Sequence, residues 1–177
     1  MKRTTRWLPA LTVVATLLGC TGATGIPEDA WIETAAEESA PLGGEALAMM
    51  KREMERAHRD MLHFRTTLAS LRERKDRSGS IQLSKFVDAY MGLHLGPLLR
   101  SEWQSRHPEL MALDANLRLA TAEVLIQLRD PRRAEQVLDE IETRFAGRES
   151  LLVEYPVGSR STLEEALRLL NESKWRG

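Results

Sequence analysis

Two patterns predict an all-α fold for this chain, a helical bundle of antiparallel helices led by a long, heptad-patterned N-terminal helix. The first is an apolar stripe at Leu47, Met50, Met54, Ala57, Met61, Phe64, Leu68 and Leu71, whose spacings alternate between three and four without a break. The second is a run of further amphipathic stretches punctuated by Gly, Pro and Asp, with almost no alternation at period two. The segment from residue 45 to 177 reads as a single domain, large enough to bury its own core. The chain has one cysteine, so that core must hold without a disulfide.

The long first helix is expected over Glu45 to Arg77. Its flanks carry both signs of charge (Lys51, Arg52, Glu53, Glu55, Arg56, Arg59, Asp60), as a solvated face does. The charge run from Arg72 to Gly79, with Ser78-Gly79-Ser80, should end it. Such a stripe suits a bundle helix or a short coiled coil, and its pattern leaves open whether it packs within the chain or against a second copy. Leu83 to Leu95 predicts a second helix with Leu83, Phe86, Val87, Tyr90, Leu93 and His94 on one side. Gly96-Pro97 should interrupt it and start a separate short helix, Pro97 to Arg106, carrying Leu98, Leu99 and Trp103. His94 reads as a packing residue and His107, before Pro108, as a cap.

Pro108 to Phe145 reads as an antiparallel hairpin. Its first helix has Leu110, Leu113, Leu117, Val124 and Leu128 on one face and Ala115, Ala122 and Ile126 on another, so it should be covered on two sides and lie at the centre of the core. Asp130-Pro131 supplies an N-cap and a proline at the first helical position. Ala134, Val137, Leu138, Ile141 and Phe145 then form one stripe, and Gly147 should close it in the left-handed conformation. Leu151 to Val157 is extended. Ser161-Thr162-Leu163-Glu164 has the form of a capping box, opening a last helix that buries Leu163, Ala166, Leu167 and Leu170.

The N-terminus has a different character. Lys2, Arg3 and Arg6 precede an uncharged, mostly apolar run from Trp7 to Leu18, which is shorter than the roughly 20 apolar residues a spanning helix needs. The run ends in Leu17-Leu18-Gly19-Cys20, which resembles the lipobox of bacterial lipoproteins. That resemblance implies that residues 1–19 are a signal peptide cut before Cys20, and that the Cys20 thiol takes a diacylglycerol. Each buried methylene contributes about 0.8 kcal/mol, so two or three acyl chains suffice for stable anchoring. Thr21 in place of Asp after the cysteine favours, within that family, the outer membrane and a periplasm-facing address. Residues 20–44 read as the lipidated terminus and a flexible acidic tether, with an r.m.s. span of about 25 to 30 Å; Trp31 and Ile32 are its apolar exception.

Charge argues against nucleic acid as a partner. Lys2, Arg3 and Arg6 are three of the 25 bases, which leaves 22 against 26 acids, a net of −4, once the leader is removed. Five of those acids lie in Thr21–Gly44, which has no base, and Glu45–Gly177 is close to neutral. No catalytic signature is present: no Gly-x-Ser-x-Gly, no phosphate-cradling glycine loop and no thiol after Cys20. The chain reads as a non-enzyme, with no cofactor beyond the covalent lipid. Met54, His58 and Met61, with Met50 beside them, form a thioether and imidazole set of the kind that takes copper(I), although Met is also a ready filler of helical cores.

The hairpin around Asp130 resembles one tetratricopeptide repeat. The turn alignment puts Ala122 and Ala134 at the family's small positions, Leu125 and Leu138 at its usual aromatics and Ile141 at its second small position. The family's trailing proline is missing, and no second copy occurs at the expected period, where arrays need about three units. The two resemblances together imply a lipid-anchored helical lipoprotein that acts as a protein-interaction or assembly accessory subunit for another envelope protein. Pilots and accessory subunits of secretion, pilus and barrel-assembly machines have this layout. The alternative is a periplasmic metal- or small-ligand-binding lipoprotein built on the Met54, His58, Met61 face.

Overall fold

A computed structural model describes residues 43–100 and 107–174. The leader, Cys20, the tether up to residue 42 with Trp31 and Ile32, and Trp103 and Trp175 lie outside the described residues. The fold is all-α. Helix α1 spans Gly44–Glu73 and α2 spans Arg77–Tyr90; a π turn, Met91–Leu95, leads into α3, Gly96–Arg100. The hairpin is α4, Pro108–Gln127, and α5, Pro131–Arg144. A two-residue strand pair follows, β1 (Leu152–Val153) antiparallel to β2 (Ser161–Thr162), and then α6, Leu163–Lys174.

The heptad stripe is a buried seam. Met54, Ala57, Met61, Phe64, Leu68 and Leu71 are enclosed, and only the first turns, at Leu47 and Met50, are half-exposed. Ala57, Met61, Phe64 and Leu68 meet Val87 of α2 and Leu117, Ala120 and Val124 of α4. The seam is therefore satisfied within the chain. Helix α4 buries a second face, through Ala115, Leu119, Ala122 and Leu125, against α5, α6 and the β1 loop. It is the central helix, as an apolar pattern on two sides requires. Ala122, Leu125, Ala134, Leu138 and Ile141, the positions shared with the repeat family, lie together in this cluster.

Both long hairpins turn in the same way. After α1, Lys75 N–H donates to the Arg72 carbonyl and Asp76 N–H to that of Leu71; after α4, Arg129 and Asp130 do the same to Ile126 and Leu125. This is a Schellman closure whose left-handed residue is Lys75 (φ 55°) in one turn and Arg129 (φ 61°) in the other. The aspartate that ends each closure also caps the next helix: Asp76 Oδ1 accepts from Gly79 N–H at 2.8 Å and Asp130 Oδ1 from Arg133 N–H at 3.2 Å. A Cβ on Gly79 would lie 2.7 Å from Asp76 Oδ2 and 2.8 Å from Leu71, which explains the glycine. Asp76→Ala should cost about 1 kcal/mol in urea unfolding.

Three local expectations are corrected. Helix α2 begins at Arg77 rather than Leu83, because Asp76 caps a polar first turn that carries no apolar signal. Gly96-Pro97 does not break the helix. The wide turn, in which Gly96 N–H reaches the Met91 carbonyl, leaves room for the proline ring, and the helix runs on as α3. The final cap is Thr162, not Ser161: Thr162 Oγ1 accepts from Glu165 N–H at 3.3 Å, while Ser161 Oγ donates to the Tyr155 carbonyl at 2.6 Å. The other expected stops hold: Gly147 has φ +77° and Asp130 caps α5.

Candidate functional site

Met54, His58 and Met61 share one face of α1, and that face is covered. Met54 and Met61 have no exposed surface and His58 is 9% exposed. Met61 lies in the core cluster shared with α4. The His58 side comes close to the loop after β1. Burial lowers its pKa from 6.5 and Arg59 adds to this, while the Glu154 carboxylate pulls the other way. Tyr155 of the same loop is buried, and its hydroxyl is pushed up to about 12, chiefly by burial and then by the Glu123 carboxylate. Below them Arg65 clamps α1 to α4 through Glu123 at 3.1 Å.

The other histidines do not join this face. His63 is exposed; His94 is exposed and tilted on the Tyr90 ring at 5.4 Å; His107 sits at the N-cap position of α4 without a side-chain capping bond, its Nδ1 3.6 Å from Glu109. The expected side-chain capping role of His107 is thus corrected, while His94 packs on Tyr90 as expected, at the surface rather than in the core. No group of three or more His, Cys, Asp or Glu that could hold a metal is found among the described residues. Because the folded His58 titrates below its unfolded value, it supports the fold fully above pH 6.5, and that support is lost as pH falls through the lowered value. His58→Asn should flatten the fall in melting temperature between neutrality and mild acid, read by calorimetry across pH.

A buried charge cluster ties the central hairpin to α3. Asp114, fully enclosed on α4, accepts from Arg118 Nε at 3.1 Å on one oxygen and from Arg144 Nε of α5 at 2.8 Å on the other. Arg118, 2% exposed, also reaches Glu140 at 2.7 Å and the carbonyl of Leu99 on α3. Burial raises the Asp114 pKa, and the two guanidiniums oppose it. One acid and one base on α4 thereby tie α3, α4 and α5 together. The sequence signal for them is an Asp and an Arg one turn apart amid Leu113, Ala115, Leu117, Leu119 and Ala120.

The outer side of α2 and of the π turn after it carries two large apolar residues in water. Phe86 is 58% and Leu93 74% exposed, two turns apart, with exposed Ala89 between them. The stripe expected for α2 is therefore split, with Val87 facing in and Phe86 and Leu93 facing water. The face is held firmly. Tyr90 OH donates to Asp60 of α1 at 2.8 Å, and Phe64 meets both Phe86 and Tyr90 edge to face, at 5.6 and 5.2 Å. Among the described residues no helix is long and apolar enough to cross a membrane. No protein-family model, curated protein or solved structure matches the chain.

Proposed function

We propose that this protein is a bacterial lipoprotein, held at the periplasmic face of the outer membrane by lipid on Cys20, whose helical domain docks another envelope protein as a binding rather than catalytic subunit. The observation that carries the docking part is the solvent-facing pair of Phe86, on α2, and Leu93, in the π turn that continues it. Apolar surface kept in water on a well-packed element marks an interaction site more often than a packing fault. The anchor rests on the resemblance of Leu17-Leu18-Gly19-Cys20 to a lipobox.

The experiment is mass spectrometry of what co-purifies with the native protein extracted in detergent, against Cys20→Ser. A recurrent envelope protein enriched only with the anchored form supports the reading; equal recovery from both forms, or nothing enriched, opposes it. A second reading draws on a separate observation. His58, only 9% exposed, lies on the face of α1 that holds the fully buried Met54 and Met61, a thioether and imidazole set. Copper(I) titration tests it: micromolar binding that disappears in His58→Ala would favour metal over docking.

A further inference from the structure

The two matching turns face one another across an open cleft of about 630 Å³, a size typical of sites for small ligands or short peptide ends. Its floor is apolar, from Leu68, Leu71 and Leu128. Its rim is cationic: Arg72, Lys75, Arg77 and Arg129 line it against one acid, Asp76, whose carboxylate is engaged by the Gly79 amide. Arg72 is tied to the Gln127 carbonyl. Lys75, Arg77 and Arg129 have no carboxylate partner among the described residues.

Two details give this cleft a chemistry. Lys75 and Arg129 are the left-handed residues of the two Schellman closures, positions where glycine is usual and a side chain is strained. Both hold a long cation at the rim. On the wall, Gln127 is half-buried, and its Oε1 is tucked away from the cleft with no hydrogen-bond partner among the described residues, so a swing of the side chain into the cleft would offer that acceptor to a donor. A simple oxyanion satisfies the bases and leaves that oxygen unpaired. A peptide C-terminus satisfies all three features at once: its carboxylate meets the cations, an apolar last side chain fills the floor, and its last amide N–H gives Gln127 Oε1 a donor once that side chain swings into the cleft.

We propose that this cleft captures the free C-terminal carboxylate of a partner chain ending in an apolar residue. This deepens the docking reading above and rests on it for the partner, while the chemistry of the cleft stands by itself. The test is an NMR titration of the full chain carrying Cys20→Ser, isotope-labelled, with N-acetyl-alanyl-leucine as the free acid, the same dipeptide as its C-terminal amide, hexanoate, and inorganic phosphate. The free acid should shift the amides of residues 75–80 and 127–129, with the amide form and hexanoate each about tenfold weaker or more. In Lys75→Gly with Arg129→Gly the acid should lose about tenfold or more in affinity, although glycine relieves both turns and the variant melts no lower than the parent. Arg168→Gln on α6 should bind as the parent does.

Equal binding of acid and amide, unchanged binding in the double-glycine variant, or no shift at millimolar dipeptide would overturn the proposal. So would phosphate shifting the same amides as strongly as the dipeptide, or dihexanoyl phosphatidylglycerol micelles doing so when the dipeptide does not; these outcomes would assign the cleft to a plain oxyanion or to a lipid surface. If the dipeptide fails while an envelope partner still co-purifies with the anchored protein, only this inference falls. If no partner co-purifies while the acid binds as described, only the docking reading does.

Discussion

Asp114→Ala is expected to cost about 3–5 kcal/mol of stability, the range for a buried pair that loses one member. The alanine would leave Arg118, 2% exposed, with its charge enclosed and only Glu140 and a carbonyl to answer it. It would also remove the 2.8 Å bond from Arg144 Nε to Asp114. Urea or thermal unfolding measures the loss directly. The double variant Asp114→Leu with Arg118→Met removes both charges and should recover much of it, since an apolar replacement of similar volume avoids the desolvation cost. A double variant as unstable as the single one would show that the cluster acts through shape rather than charge.

Phe86→Glu with Leu93→Glu should abolish partner recovery while leaving the helix content unchanged. Two charges placed at the centre of an apolar contact would each have to be desolvated on docking, a loss of the size seen when interface anchors are removed, about 2 kcal/mol or more apiece. The folded state loses little by comparison. Leu93 is 74% exposed, and Phe86 gives up chiefly its edge-to-face contact with Phe64, worth about 0.5–1.5 kcal/mol. Co-purification and circular dichroism on the same preparation separate the two effects. A variant that folds and still recovers the partner would move the docking surface away from α2.

The parts legible from sequence are those set by one physical requirement repeated along a helix. The Leu47 to Leu71 stripe is such a case: every third or fourth residue must face the same neighbour, so the pattern announces the seam. The same pattern does not say which neighbour, and only the packing of Ala57, Met61 and Phe64 on α2 and α4 answers that. Phe86 and Leu93 show the converse. Their spacing is as regular as that of core residues, yet they face water, because periodicity records which residues share a face and not whether anything covers it. The Glu154 carboxylate that acts on His58 comes from far along the chain, a pairing no local window contains.

Local rules misled where tertiary packing overrode them. Gly96-Pro97 reads as a break because a proline cannot continue an α-helical ladder, but one π turn accommodates the ring at little disruption. The start of α2 is hard to read because the left-handed position before it holds Lys75 instead of glycine, and its cap, Asp76, sits in a run of charges. Asp114 and Arg118 are masked in sequence by the apolar residues around them on α4. Two charges one turn apart inside such a helix are the signal to look for, since neither is tolerated there without the other.

The most direct test of the whole account is the intact mass and N-terminal sequence of the protein taken from its native membranes. A lipid-anchored docking subunit must begin at Cys20 and carry the mass of a diacylglycerol, with any further acyl chain on the new terminus, and must stay in the membrane fraction at high salt. A chain that begins at Met1, or one cut elsewhere with Cys20 an unmodified thiol and the protein in the soluble fraction, would contradict the anchor and with it the envelope partner.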